Sequence, residues 1–197
     1  MASIPAPLPG GNGLYEVRFY GRGGQGSVIA STLLAEAAFL EGRDVQAFPF
    51  FGVERRGAPV MAHTRVGADH IRLTCSVAHP DAIVVMDPTL VYGNRNLLAS
   101  LKEGGTVLIN SAHSPKELGL SLNGKVASFD AVSLAVKYGL GSKANPIVNT
   151  VILGAFARLT GLVKLESLEE AIKQKVPVKV EKNVEAAREA YNTMRME

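Results

Sequence analysis

The residues with the clearest capacity for chemistry form a glycine-rich segment near the start of the chain, Gly21-Arg-Gly-Gly-Gln-Gly26. An apolar-alternating run at residues 15–20 precedes it and a helical pattern follows it, which is the context in which a G-x-G-x-x-G motif binds phosphate. Glycines allow a sharp turn and leave backbone N–H groups free to approach an anion. The positive end of the helix dipole and the Arg22 side chain would favour such an anion. The candidate binding residues are Gly21, Arg22, Gly23, Gly24, Gln25 and Gly26.

A second observation bears on the ligand that this segment could bind. In dinucleotide-binding folds, an acidic residue at the end of the second strand, about 20 residues after the glycines, bonds the ribose. The corresponding stretch here is Gln46-Ala-Phe-Pro49, which contains no acid. This composition counts against NAD, and it leaves open both phosphate binding and a purely structural use of the glycines.

The loop at residues 50–59 carries a second set of candidate residues. It is too polar at its centre for the core and too rich in Gly and Pro for a helix. Arg55 and Arg56 could contact an anion or a partner protein, because guanidinium groups bind phosphates and carboxylates in a bidentate manner. The alternative is a solvated loop in which these arginines pair with Glu54.

The elements that would position these residues alternate along the chain. Apolar runs predict strands at residues 15–20, 44–48, 60–66, 71–75, 81–87, 106–110 and 125–129. Helical patterns occupy residues 25–41, 130–138, 148–160 and 181–194, and shorter ones follow residues 87, 114 and 167. We predict an α/β fold: a Rossmann-like, mostly parallel open sheet with helices on both faces and an inserted β-hairpin formed by residues 60–66 and 71–75.

Several details of these elements are specific enough to test. Asp87 and Asp130 follow buried strands, where ligands collect in such sheets, but both are explained as helix caps. Ser114 and Ser167 each begin a capping-box pattern. The first helix should bury the residues that recur at spacings of three and four, which are Ile29, Leu33, Ala37 and Leu40.

Length and composition define the class of protein. The chain has 197 residues, 47% of them hydrophobic, which is enough for one full core. We divide it into a flexible N-terminal tail at residues 1–13, rich in Pro and Gly, and a single domain at residues 14–197. The net charge is +3 and the basic residues are dispersed, without the basic clusters and interleaved aromatic residues that nucleic-acid binding requires.

The single cysteine, Cys75, has two consequences. No internal disulfide is possible, so we expect a reducing, cytoplasmic location. An iron–sulfur cluster needs about four cysteine ligands, so this chain alone cannot hold one. Neither a signal peptide nor an apolar run of membrane-spanning length is visible, and we expect no membrane association.

Catalytic motifs are missing from the sequence. There is no Cys/His set with zinc spacing, no G-x-S-x-G elbow, and no G-K-[ST] ending to the glycine segment. We therefore assign no catalytic residue and no metal ligand. The sequence is typical of a binding domain that lacks its own catalytic set.

Four segments occur in an order that indicates a family. They are Gly21-Arg-Gly-Gly-Gln-Gly26, Gln46-Ala-Phe-Pro49, Gly52-Val-Glu-Arg-Arg-Gly-Ala-Pro59 and the helix start at residues 145–154. With these segments the chain resembles, over residues 14–190, the gamma subunit of 2-oxoacid:acceptor oxidoreductases of the pyruvate:ferredoxin and ketoisovalerate:ferredoxin type.

The resemblance implies a function in a complex. Such complexes oxidatively decarboxylate a 2-oxoacid, with pyruvate the first expectation, and produce an acyl-CoA from coenzyme A, carbon dioxide and reduced ferredoxin. Thiamine diphosphate and iron–sulfur clusters would lie on alpha, beta and delta-type partner subunits, and the isolated chain would be inactive. By the same resemblance, residues 21–26, Arg55 and Arg56 are candidate contacts to coenzyme A phosphates or to a partner subunit.

Alternatives stay open at this point. The complex could use an aromatic or branched 2-oxoacid, or could be NAD-linked rather than ferredoxin-linked. The chain could be a free-standing NAD(P)- or flavin-binding oxidoreductase, which the glycine segment favours and the missing acid opposes. It could also be a structural scaffold in which the glycines serve only the packing of strand against helix.

Overall fold

A computed structural model describes residues 7–9, 13–50, 58–93, 95–120, 122–142 and 144–195. Its strands are β1 (Leu14–Arg22), β2 (Asp44–Phe50), β3 (Pro59–Gly67), β4 (Ala82–Val85), β5 (Thr106–Asn110) and β6 (Lys125–Phe129). They form one six-stranded sheet in the order β2-β3-β1-β4-β5-β6. Strands β1, β4, β5 and β6 pair in parallel, and β3 runs antiparallel to both of its neighbours. The predicted mostly parallel α/β sheet is confirmed.

Helices cover the two faces unequally. They are α1 (Ser27–Leu40), α2 (Thr89–Gly93), α3 (Ala131–Lys137), α4 (Asn149–Thr160), α5 (Leu165–Lys175) and α6 (Val180–Thr193). Helices α1 and α3 to α6 share the larger core with Phe19, Val84 and Leu108 of the sheet. The other face packs Ile83 and Ile109 against α2, a 3₁₀ helix at Arg95–Leu98 and leucines of residues 118–122. Helices therefore lie on both faces, but only one face is covered by long ones.

The antiparallel hairpin exists, but with a different partner strand. β3 matches the predicted strand at 60–66 and pairs with β2, placing Val45 opposite Val66. Residues 71–75 do not form a strand, so that part of the prediction is wrong. Side chains bond their backbone carbonyls instead: Gln46 donates to the Leu73 carbonyl at 3.1 Å and Arg65 to the Cys75 carbonyl at 2.7 Å. The alternating pattern belongs to a segment that covers the second face.

Two details of the helices also differ from prediction. Ile29 and Leu40 are 52% and 41% exposed, whereas Leu33 and Ala37 are buried as expected. Because α1 is apolar nearly all round, periodicity could not select its buried face. Ser167 lies inside α5 rather than at its cap, because the helix begins at Leu165 after the Lys164 amide bonds the Glu41 carboxylate at 2.6 Å.

Other caps agree with the sequence, in whole or in part. Asp130 accepts a hydrogen bond from the Ser133 amide at 2.9 Å and begins α3 as predicted. Ser114 and Glu117 form the reciprocal bonds of a capping box, but a turn and no helix follows. Leu8, within the predicted tail, is buried in the larger core. The division of the chain at residue 13 stays a prediction.

A buried cluster of two arginines and a histidine lies on the second face, formed by Arg18, His63 and Arg65. Arg18 donates to Ser100 and to the carbonyls of residues 77 and 78, so the two arginines hold the covering segment on the sheet. His63 is 2% exposed, and its Nδ1 has no hydrogen-bond partner among the described residues. Burial, together with the charges of the two arginines, lowers the pKa of His63 from 6.5 to about 4.

We predict that His63 makes the stability of the fold depend on pH. Between pH 6.5 and about 4 the unfolded chain holds a proton on this imidazole that the folded chain does not hold. The free energy of unfolding is therefore unaffected by this group above pH 6.5, and it decreases by about 3 kcal/mol as the pH falls to 4. Urea unfolding at pH 7.0 and 4.5 measures it, with His63→Phe as the comparison. A variant with the same pH dependence as the wild type would contradict this role.

Candidate functional site

The glycine segment lines a cleft at the carboxyl ends of three strands. The cleft has a volume of about 290 Å³ and is bounded by residues 22–25 at the end of β1, Met86 after β4 and Asn110 at the end of β5. Val132 of α3 and residues 144–146 and 148 complete its wall. After β1 the chain builds β2 and β3 on one side and then crosses to β4 on the other. The cleft therefore lies at the point where ligands bind in open α/β sheets.

Backbone geometry explains two of the glycines. Gly24 and Gly26 have φ angles of 98° and 84°, in the left-handed region that side chains other than glycine rarely adopt. A Cβ atom on Gly26 would lie 2.7 Å from Nδ2 of Asn149, the first residue of α4. Gly26 is the N-cap of α1 and supplies no side-chain hydrogen bond to the first turn. The first turn of α1 also carries no acidic residue, so none of its own side chains offsets the helix dipole.

Several backbone amides of the glycine segment donate hydrogen bonds that fix the conformation of the segment. The Gly23 amide donates to the Ala58 carbonyl at 2.9 Å and the Gln25 amide to the Arg22 carbonyl at 3.0 Å. The Arg22 amide donates to the Gln25 side chain at 2.7 Å. Among the described residues, no partner occupies the amides of Gly24 and Gly26. These two groups and the start of α1 are the donors left for an anion.

The Arg22 guanidinium is committed to an internal network. Its Nε lies 3.0 Å from Oδ2 of Asp87, and a terminal nitrogen donates to the Thr89 hydroxyl at 2.8 Å. Gln25 donates to the same Asp87 oxygen at 3.1 Å. Burial alone would raise the pKa of Asp87, but hydrogen bonds from Thr89 and Gln25 and the charge of Arg22 hold it below its usual value. The charge of Arg22 is therefore balanced, and the residue shapes the segment.

Sequence reasoning missed the functions of Asp87 and Asn110 in this arrangement. Asp87 accepts from the Thr89 amide at 3.0 Å, as a cap should, but it also binds the glycine segment. Asn110 is buried; it donates to the Met86 carbonyl at 2.9 Å and accepts from the Ala131 amide at 3.0 Å. It thereby joins the ends of β4 and β5 to the start of α3. Polar residues directly after buried strands were the available signal.

Two of the predicted site residues cannot be placed relative to the cleft. Arg55 and Arg56 lie outside the described residues. The strand order accounts for the lack of a ribose-binding acid at the end of β2, because β3 lies between β1 and β2. The end of β2 is thus about two strand spacings, roughly 10 Å, from the glycine segment. An acid at residues 46–49 would not have occupied the usual ribose position.

The described part of the chain shows neither a candidate metal site nor a membrane-spanning helix. It contains no cluster of three or more His, Cys, Asp or Glu side chains that could hold a metal ion. None of its helices combines the length and the apolar character needed to cross a membrane. Among the described residues that line the cleft, Arg22 is the only one with a titratable side chain.

Comparison with known proteins identifies the family. The model of the pyruvate ferredoxin/flavodoxin oxidoreductase family matches residues 16–193. The chain belongs to this family. It is 52% identical to the "pyruvate/ketoisovalerate oxidoreductases common subunit gamma" of Pyrococcus furiosus, over 90% of this chain and 96% of that protein. It is 50% identical to the "pyruvate synthase subunit PorC" of Methanothermobacter marburgensis, over 92% and 98%.

A solved structure supports the same assignment. The crystal structure of the pyruvate oxidoreductase subunit PORC of Thermotoga maritima superimposes with a TM-score of 0.79 at 35% identity, over 92% of this chain and 97% of that one. The resemblance inferred from the four sequence segments is thus confirmed at the level of the family. Within the pyruvate ferredoxin/flavodoxin oxidoreductase family, this chain corresponds to a gamma-type subunit over almost its whole length.

Proposed function

We propose that this chain is the gamma subunit of a multisubunit oxidoreductase that converts a 2-oxoacid and coenzyme A into an acyl-CoA and carbon dioxide. Two electrons pass to ferredoxin. Pyruvate is the proposed substrate, since relatives at 50–52% identity are named for pyruvate or for pyruvate and ketoisovalerate. The glycine segment alone is consistent with a free-standing dinucleotide enzyme, but the position of the end of β2 opposes that alternative.

Within the complex, the cleft would bind a phosphate group of coenzyme A. The observation that carries this proposal is the pair of amides, Gly24 and Gly26, beside the uncapped start of α1 at the carboxyl edge of the sheet. Anions bind such helix termini because amide donors and the helix dipole act together. A cleft of about 290 Å³ is at the small end of ligand sites, so a partner subunit would enclose the rest of the coenzyme.

The other cofactors would lie on partner subunits. Cys75 is the only cysteine, so the residues of this chain do not fit an iron–sulfur cluster, which needs about four ligands. We assign clusters and thiamine diphosphate to alpha, beta and delta-type subunits, which we place with this chain in the cytoplasm. The domain at residues 14–197 then contributes a binding surface, and the isolated chain oxidises no 2-oxoacid.

A charge placed in the cleft tests this function. In the assembled complex, Gly24→Asp should raise the KM for coenzyme A about tenfold or more with little change in kcat, because a carboxylate would repel the phosphate. A Cβ at Gly24 would meet no atom within 4 Å, so the substitution adds charge without a clash. Steady-state kinetics with pyruvate and ferredoxin provide the measurement.

The control is Gly119→Asp. Gly119 also has a positive φ, 66°, and open space at its Cβ position. It lies away from the cleft, among the leucines of residues 118–122 that pack on the second face of the sheet. The Gly119→Asp variant adds the same charge at another position with a positive φ and should leave the KM unchanged. Equal KM values for coenzyme A in both variants and the wild type would favour the structural-scaffold alternative.

A further inference from the structure

A second concavity adjoins the cleft. Residues 140–142 and 144–149, which we call the strap, separate the two, because Pro146 faces the cleft and Ile147 faces the second concavity. This apolar groove has a volume of about 230 Å³ and is lined chiefly by Ile29, Ile147, Val176 and Val178. It lies between the start of α1 and the connection from α5 to α6.

The groove exposes apolar side chains at one place. Ile29 is 52% exposed, Ile147 38% and Val178 66%. Single exposed apolar residues are ordinary on a protein surface, but a contiguous set around a concavity marks an interaction site. Here three chain segments converge to form the set.

The backbone at the groove is held in an unfavourable conformation. Lys179 has a φ of 52° and is the only residue other than glycine with a positive φ among those described. Such strain persists where the surroundings enforce it, and it concentrates at functional sites. Lys179 donates to the Gly139 carbonyl, which ties the α5–α6 connection to the chain just before the strap. The strained residue directly follows Val178, which is more exposed than Ile29 and Ile147.

Charge at the rim indicates the occupant. Lys175 and Lys179 line the groove, and none of the other described residues that line it is acidic. Lys175 pairs with Glu36 at 3.0 Å, whereas Lys179 has no acidic partner in the described part of the chain. A second copy of this chain would bring lysines against lysines, which is unfavourable. A segment with apolar side chains flanked by Asp or Glu fits both the lining and the rim.

We propose that the apolar groove docks an acid-flanked apolar segment of another subunit of the oxidoreductase. The proposal rests on the function proposed above, since it needs a complex. Asn149 lines the groove and packs against Gly26 of the glycine segment, so a docked subunit would lie directly beside the cleft. Docking would thus bring a partner chain to the place where the cleft needs one to enclose coenzyme A.

Reassembly of the complex tests the proposal. The complex is purified through a tag on this chain, the larger subunits are separated, and their affinity for purified wild-type and variant chains is measured. Ile147→Asp and Val178→Asp should each weaken binding at least about tenfold, because a carboxylate would replace a buried apolar contact beside acidic residues. The affinity of the Lys179→Gln variant should depend less on salt concentration than the affinity of the wild type does.

Phe39→Asp is the matched control. Phe39 is 60% exposed on α1, as apolar as Ile29, but it does not line the groove. Its variant should bind within about twofold of the wild type. Val178 is the more exposed of the two tested positions, so its variant keeps the test valid if Ile147→Asp fails to fold.

The outcomes separate the two proposals. If the wild-type chain does not bind the larger subunits, the proposed function fails. If the wild type binds and both groove variants bind equally well, the groove proposal is overturned while the function stands. A wild-type dimer in sedimentation that Val178→Asp abolishes would assign the groove to a second copy and would also overturn the proposal.

Discussion

Replacement of Gly154 by alanine should lower the free energy of unfolding by about 3 kcal/mol. Gly154 lies within α4, and a Cβ atom there would be 2.0 Å from the carbonyl oxygen of Ala187 in α6. The obstructing atoms belong to the helix backbone, so no side-chain rotation relieves the overlap, and the two helices must move apart. In an uncrowded helix the same substitution would stabilise by about 0.5–1 kcal/mol. The predicted effect therefore has the opposite sign to helix propensity.

Urea unfolding monitored by circular dichroism measures this effect. Ser167→Ala is the control, because it also introduces alanine inside a helix of the same layer without adding a Cβ atom. The control should change stability by no more than about 0.5 kcal/mol, in the stabilising direction. Stabilisation by Gly154→Ala would show that α4 and α6 do not approach so closely.

The close approach also matters for the cleft. Asn149, at the start of α4, packs against Gly26, so the position of the helix sets the space left for the glycine segment. Thr150 donates to Asn183 of α6 at 2.8 Å and joins the same pair of helices near that end. A displaced α4 would alter the cleft without any change in its own lining residues.

Replacement of Arg65 by methionine should also be strongly destabilising, by about 3 kcal/mol or more. Arg65 is 1% exposed, and its Nε lies 2.9 Å from Oε1 of Glu16. Methionine fills a similar volume but leaves the largely buried Glu16 carboxylate with Lys102, at 3.8 Å, as its one charged partner among the described residues. The covering segment also loses the bond from Arg65 to the Cys75 carbonyl. Removing one member of a buried ion pair leaves an uncompensated charge, which is the larger part of the cost.

Arg188→Met provides the comparison for Arg65. Arg188 binds Glu169 through two bonds of 2.6 and 2.8 Å, but half of its side chain is exposed to water. Its loss should cost less than about 1 kcal/mol. The double variant Glu16→Gln/Arg65→Met should recover part of the loss, because it removes the unpaired charge. Equal effects of the two arginine substitutions in denaturant unfolding would refute the buried ion pair as a major contribution.

Local patterns predicted most of the fold. Continuous apolar runs located β4 and β5, since a strand buried on both faces must be apolar throughout. The Asp130 cap located the start of α3, because its bond to the Ser133 amide spans only three residues. Alternation failed at residues 71–75, where the backbone carbonyls bond side chains of β2 and β3 rather than another strand. That outcome depends on residues distant in the sequence and has no local signal.

In the candidate site, too, some features could be predicted from local sequence and others only from the tertiary structure. The glycine segment was recognisable because its amides and left-handed conformations require glycine locally. The pairing of Arg22 with Asp87 joins residues 65 positions apart and became evident only when β1 and β4 were placed side by side. Arg22 therefore also shapes the segment, and its contact with a ligand stays a prediction. Arg55 and Arg56 remain predicted contacts.

By itself, the sequence determined the fold class, the glycine turn and the family, because each depends on residue type or on contacts between near neighbours. The tertiary structure alone decided which amides of the glycine segment stay free, which face of α1 is buried and where the apolar groove lies. It also placed β3 between β1 and β2 and so removed the usual ribose position. These features arise from long-range pairing, in which the energy of a contact depends on a partner that local sequence does not specify.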